Sequence, residues 1–406
     1  MTAAVHQAVI AGAHPGGALR IDSIDLLRGL VMVIMALDHT RDFFGDPAAR
    51  PTDLATTTAV LFYTRWVTHI CAPTFFLLTG VGAYLTRRRM SLPELSRFLL
   101  TRGAWLLVLE LVVMRFALQF NVDYQVTVIT VLWALGWSMI VLAALCRLPP
   151  WAIAAFGLAL VGGHNALDGL SSGMATHPGL LAGVWTVLHQ PGIVFRSSHA
   201  LVLISYVLIP WVGVTALGYV LGGIYEWSAD ARRRFLLRLG LGLIAAFVVL
   251  RFSNVYGDPA LWSWQSTPAR TLMSFLNTVK YPPSLLFLLM TLGPALLLLR
   301  AFDGGGPVWL RPVATFGKVP LFFYVLHFYL IHLLAVAASY LRYGDVAQMF
   351  RSPDIGHFPF SAPPGWNLGL PMVYLLWVVV VVALYPLCRW YARLRQRHRA
   401  WWLSYL

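Results

Sequence analysis

The chain has 406 residues, 59% of them hydrophobic and 11% charged, with a formal net charge of +14 and a mean hydropathy of +0.70. That balance excludes an ordinary soluble multidomain protein and places the chain among polytopic membrane proteins. The basic surplus lies in short clusters between apolar runs, as a topology signal does, so nucleic acid is excluded as a partner.

The first twenty residues, MTAAVHQAVIAGAHPGGALR, lack a basic n-region followed by a long apolar core and read as a loose cytoplasmic tail, not a signal peptide. Residues 21–395 read as one transmembrane domain, and 396–406 as a second cytoplasmic tail. Counting apolar runs long enough for a bilayer core predicts ten spans: 24–44, 58–85, 98–116, 126–146, 150–165, 200–225, 235–252, 284–300, 313–341 and 370–391. Twenty of the thirty Lys and Arg residues then fall on short loops of one side, in clusters such as Arg87 to Arg89, Arg232 to Arg234 and Arg389 to Arg399. The positive-inside rule makes that side cytoplasmic and puts both termini there. The fold class predicted is all-α, a polytopic transmembrane helical bundle in a cell (inner) membrane. Cys71, Cys146 and Cys388 all lie in apolar runs with no metal or disulfide spacing, and read as small core residues.

The first span ends in Asp38, His39, Arg41 and Asp42, and charge at membrane depth usually faces a cavity or a partner. By helix rise, His39 stands roughly 22 Å above the inner end of the first span and His69 roughly 16 Å below the outer end of the second, so both fall in one half of the bilayer. These imidazoles are the catalytic candidates, with Asp38 and with Asp42, one turn from His39, as an orienting carboxylate. A packed histidine bonded to a backbone carbonyl is the competing reading of His69. Arg28, Arg311 and Lys318 are candidate phosphate contacts for a cofactor, and His327 in FGKVPLFFYVLHFYLIH lines the same cavity. Glu110 reads as structural, either neutral or paired with Arg115. In RFSNVYGDPALWSWQSTPAR and LNTVKYPPSLLF, Asn254, Tyr256, Asp258, Trp262 and Lys280, together with Arg41, combine polar groups and flat aromatic faces suited to a polyhydroxylated acceptor. Aromatic crowding at a membrane interface is the alternative. His327 and His332 are five apart, too far round a helix for a shared metal face, and no metal is expected. Walker, GxGxxG and HExxH motifs are absent.

The run SIDLLRGLVMVIMALDH resembles the first-span signature of the heparan-alpha-glucosaminide N-acetyltransferase family and its bacterial relatives. The resemblance continues at Pro73-Thr74-Phe75-Phe76 to Gly80, and at Phe316-Gly317 followed by Tyr324 and His327. It implies a membrane acetyltransferase that takes the acetyl group of cytoplasmic acetyl-CoA and delivers it across the membrane. Asp25 and Arg28 match the inner end of the signature. His39 stands where the lysosomal enzyme has an Asn at its reaction centre and His69 where it has an Asp, which aligns the chain with the bacterial branch.

The reading that follows is an acyl-CoA-dependent O- or N-acyltransferase whose partners are the lipid bilayer, acetyl-CoA and a hydroxyl or amine acceptor such as a carbohydrate; a homodimer is compatible with it. A proton-coupled small-solute transporter is the rival, against which the sequence shows no inverted repeat. A non-catalytic scaffold is the third reading.

Overall fold

Helix α1 spans Asp22–Phe44, with Asp22 and Asp25 in its first turn and Arg41 in its last, each at the end of the helix dipole that favours its charge. The structure, a computed structural model, describes residues 22–170, 179–353, 359–398 and 403. The tail expected at 1–20, and all but four residues of that expected at 396–406, lie outside the described residues.

The second predicted span is a rod in two pieces, α2 (Ala59–Val67) and α3 (Cys71–Arg87), joined by a 3₁₀ turn over Thr68–Ile70. Pro73 explains the join, because it has no N–H to donate and its ring crowds the carbonyl of His69, four residues back. Helix α4 (Leu92–Val108) opens on a capping box between Ser91 and Glu94, then passes through a π turn over Leu109–Met114 into α5 (Arg115–Gln119). Next come α6 (Val131–Leu145), α7 (Pro150–Gly163), α8 (Leu180–Leu188), α9 (Ile209–Leu221) and α10 (Ala229–Ser253). They are followed by α11 (Pro268–Leu276) and α12 (Leu285–Phe302). The ninth predicted span divides into α13 (Arg311–Lys318) and α14 (Pro320–Tyr343), since Pro320 pulls Val319 out of helical geometry. Helix α15 spans Leu370–Arg397.

Two predicted spans lose their first residues to a sheet, which corrects the all-α expectation to a mostly helical fold with one small sheet. Strands β1 (Val126–Ile129) and β3 (Leu201–Ile204) pair in parallel, and β2 (Gly192–Arg196) pairs antiparallel with β3. The runs VTVI and LVLI are rich in β-branched residues, which favour a pleated surface, and periodicity does not separate short apolar strands from helix. Among the described residues five helices are long and apolar enough to cross a membrane: Ala59–Arg87, Ala229–Ser253, Leu285–Phe302, Pro320–Tyr343 and Leu370–Arg397. Cys71, Cys146 and Cys388 are free and buried.

Helices meet most closely where glycine removes the side chain. A Cβ on Gly29 would strike the carbonyl of Val313 and one on Gly317 the carbonyl of Asp25, so α1 and α13 touch backbone to backbone. Gly80 of α3 and Gly218 of α9 make the same kind of crossing against Thr215 and Leu77. Gly317→Ala is therefore expected to lower the thermal midpoint of the detergent-solubilised protein, since overpacking costs about 1–3 kcal/mol. Gly242→Ala, whose new methyl meets no atom within 4 Å, should leave it unchanged or slightly raised. Indistinguishable midpoints for the two variants in scanning fluorimetry would remove this role from Gly317.

Candidate functional site

Helix α1 delivers Asp38, His39, Arg41 and Asp42 to one cavity of about 720 Å³, which Arg65, Thr130, Tyr206, Lys280, Tyr281 and Tyr324 also line. His39 is half-buried there and His327 of α14 is fully buried behind it. Nδ1 of His39 lies 2.6 Å from Nε2 of His327, and Nδ1 of His327 lies 3.0 Å from the carbonyl oxygen of Phe323. A carbonyl only accepts, so His327 carries its proton on Nδ1 and presents the lone pair of Nε2. His39 must then donate from Nδ1, which leaves its own Nε2 as a lone pair. Neutral His39 is thus held in the tautomer of a base, with His327 as its orienting group. Phe328 packs on His39 with ring centroids 4.2 Å apart, and Tyr324 meets it edge-on at 6.3 Å.

The orienting role expected of Asp42 falls to His327 in this geometry. Asp42 lies 2.7 Å from Arg41, and Asp38 is bound by Arg41 at 2.8 Å and by Arg65. The two carboxylates are thus held by two guanidiniums, the pairing that buried charge requires. Nor does the structure pair His39 with His69. His69 is 3% exposed, with its ring 5.3 Å from Phe287, and its buried Nδ1 meets no hydrogen-bond partner among the described residues.

A second cavity, of about 520 Å³, is lined by Arg28, Arg102, Lys318 and Arg395 and by apolar side chains including Met32, Leu78 and Leu132. Arg28 donates to the carbonyl of Gly317 at 3.3 Å, and Arg395 donates to that of Lys318 at 3.2 Å. Tyr324 and Val131 line both cavities, so a single wall separates the cationic cavity from the histidines. Of the four residues expected at a cofactor, Arg28 and Lys318 line this cavity. Arg311 is exposed and does not, and His327 belongs to the histidine pair.

The acceptor residues expected on the long 254–284 connection divide in the same way. Asn254 caps α10 in left-handed geometry and exchanges hydrogen bonds with the backbone of Trp262 at 2.9 and 3.1 Å. Tyr256 donates to Gly162 at 2.6 Å. Asp258 accepts from Ser284, Val279 and Ala260 at 2.6 to 2.9 Å, and burial raises its carboxyl above the usual range despite those bonds. Trp262 packs on Phe252 and Phe275. Three of these four brace their own connection and Tyr256 ties it to α7; none lines the histidine cavity, whereas Lys280 and Arg41 do.

Sequence reasoning did not single out Arg65, Tyr206, Tyr281 or Thr130. Arg65 carried a signal, a charge within an apolar run. Burial works to raise the Tyr281 phenol, but Lys280 and Arg65 outweigh it and hold the phenol below the usual tyrosine value, helped by the bond Tyr206 makes to it. Glu110 and Arg115 are not paired. Glu110 takes the backbone N–H of Thr130, while Arg115 bonds Asn121 at 2.7 Å and Asp123 at 3.1 Å.

A sequence comparison with curated proteins found no match. The family model described as "Heparan-alpha-glucosaminide N-acetyltransferase, catalytic" matches residues 20–264, which is more than half of the chain and includes His39, His69 and Arg65. With apolar helices long enough to cross a bilayer and this match over most of its length, the chain belongs to the heparan-alpha-glucosaminide N-acetyltransferase family of membrane acetyltransferases.

Proposed function

We propose that the protein moves an acetyl group from acetyl-CoA, held in the cationic cavity, to a hydroxyl or amine of a sugar-like acceptor in the histidine cavity. The observation that carries this reading is the hydrogen-bonded chain from the Phe323 carbonyl through His327 to His39, standing where the two cavities share a wall. Phosphates need cations, and Arg28, Arg102, Lys318 and Arg395 supply them, while the apolar side chains between them and Tyr324 suit the arm that carries the thioester. Nε2 of His39 takes the proton of the acceptor as its O or N attacks the thioester carbonyl. The C–S bond then breaks, and the proton on His39 passes to the departing thiolate. While protonated, His39 keeps its Nδ1 bond to the Nε2 lone pair of His327, now a charge-assisted bond and hence a stronger one. Lys280, Arg41 and Tyr281 line the space where the acceptor would lie.

The ten-span arrangement with both termini cytoplasmic, in the inner membrane, is part of this proposal, and helix directions support it. Gly29 meets Gly317 and His39 meets His327, so the first and ninth spans run parallel. Ser96 meets Ala143 and Gly103 meets Gly136, so the third and fourth run antiparallel. Gly240 packs on Leu297 and Gly293 on Ile244, so the seventh and eighth do too. Alternation of ten spans requires all three relations. Reporter fusions are expected to place both termini in the cytoplasm and the connections around Gly179 and Asp258 on the other side; a non-cytoplasmic C-terminus would break the arrangement.

Lys318→Gln should weaken acetyl-CoA binding about tenfold or more, because a bond to a charged group contributes roughly 1.5–3 kcal/mol. Arg311→Gln, outside the cavity, should bind as the unmodified protein does. Calorimetry showing equal affinity for both variants would dismiss the cationic cavity as the donor site.

His39→Ala, and nearly as much His39→Gln, should lose about 10²–10⁴ in turnover while retaining acetyl-CoA binding, the usual contribution of a positioned base. His327→Gln is expected to fall between these variants and the unmodified protein. Near-normal CoA release from folded His39→Ala would overturn the assignment, and solute accumulation in proteoliposomes without CoA release would favour transport instead.

A further inference from the structure

We propose that His164, Asp168 and His189 form a site for a divalent transition-metal ion, zinc by its donor set, apart from the His39–His327 pair. His164 opens the 3₁₀ turn His164–Leu167 that follows α7, Asp168 closes that turn, and His189 closes α8. One donor atom from each lies within 4.8 Å of the others. A zinc ion holds such donors at about 2.0–2.2 Å and hence about 3.4 Å apart in a tetrahedron, a spacing that side-chain rotation would reach.

The second observation is the state of the imidazoles. Both histidines are 1% exposed, yet neither ring nitrogen of His164 and not Nδ1 of His189 meets a hydrogen-bond partner among the described residues. The Pro283 carbonyl is near His164 without the geometry of a bond. A neutral imidazole has one N–H to donate and one lone pair to fill, and burying both unmet on the same ring is costly. A metal would use the lone pair.

The surroundings are those of a ligand set. Nε2 of His189 lies 2.9 Å from the His164 carbonyl and 3.4 Å from Oδ1 of Asp168, and it carries the proton, so the lone pair is on Nδ1; a turn of the ring would bring that lone pair to the ion and leave Nε2–H for an outer acceptor, as metal-bound histidines usually have it. Asn165 donates to Oδ2 of Asp168 at 2.9 Å while its own Oδ1 takes the Leu285 N–H at 2.8 Å, fixing the carboxylate. Two imidazoles and one carboxylate suit zinc, whereas calcium and magnesium prefer oxygen donors. The Asp168 side chain is 29% exposed, which gives an ion a way in and a fourth position for water. The ion would tie α7 to α8 and so to β2, which begins three residues beyond His189. Strand β2 pairs with β3, and the chain leaving β3 supplies Ser205 and Tyr206 to the histidine cavity. The site thus braces one wall of that cavity.

The test uses the full-length protein in detergent, with any affinity tag removed, stripped with a chelator and titrated with zinc chloride alone. One equivalent of zinc should remain after gel filtration, by plasma mass spectrometry, and should raise the thermal midpoint. His164→Gln should abolish that rise, and Asn165→Ala should weaken zinc binding about 10–100-fold, as loss of an outer partner does. No retained zinc with an unmoved midpoint in the unmodified protein would overturn the site. So would His164→Gln binding zinc as tightly as the unmodified protein, or an equal rise in midpoint with magnesium.

Discussion

The backbone contact between Gly29 and Gly317 sets the geometry on which the site depends. His39 lies ten residues beyond the first glycine and His327 ten beyond the second, and α1 rises about 15 Å over that interval. Two parallel segments that touch at one end bring the histidines to the same height, where the gap between them must open just enough to hold both imidazoles. The break at Val319 and Pro320 lets α14 restart with its own tilt, and the 2.6 Å bond between the imidazoles shows the result. A hydrogen bond weakens steeply with stretch and misalignment, so a small displacement at the glycine crossing acts directly on the histidine pair.

The pair resembles a nucleophile-activating triad in logic, but a neutral carbonyl stands where a carboxylate would usually be. A carboxylate beside His327 would strengthen the base, yet it would add a buried charge in need of its own partner. The neighbouring carboxylates are instead taken up by Arg41 and Arg65. Asp38, next to His39 in sequence, points about 100° away around the helix, which keeps it on the arginines and off the imidazole. The tautomer of His39 is therefore fixed by hydrogen bonds alone, and the charged network beside it lines the rest of the cavity.

Much of this was legible from the residues. The charge break at the end of the first span, the apolar runs and the basic clusters follow from what a bilayer tolerates, and they led to His39, Arg41, Arg28 and Lys318. Partnership was not legible. Helix rise puts His39 and His69 at similar depth but says nothing of rotation, and the 3₁₀ turn that carries His69 directs its ring toward Phe287. The same blindness hid Arg65, whose partner Asp38 lies on another helix. The polar and aromatic run from Asn254 to Trp262 looked like a binding surface because composition does not reveal whether polar groups face a ligand or their own backbone. The sheet was missed because four apolar residues carry too little periodicity to declare themselves.

The common wall at Tyr324 is where the two halves of the proposed reaction constrain one another. In the proposed reaction a thioester approaching from the cationic side would pass the wall that Tyr324 and Val131 form to reach Nε2 of His39, and an acceptor approaching from the other side would bring water with it. Transfer in preference to hydrolysis therefore requires that the wall open only when the acceptor has displaced that water. Tyr324 is well placed to sense this, since its ring meets that of His39 edge-on and its hydroxyl bonds Thr130, whose backbone N–H is held by the buried Glu110. The π turn at Leu109–Met114 carries Glu110, and such turns tend to occur where a helix is shaped for function rather than for stability. A carboxyl inside an apolar span, bonded to the residue that holds the dividing tyrosine, is thus better understood as part of the wall between donor and acceptor than as a structural accident.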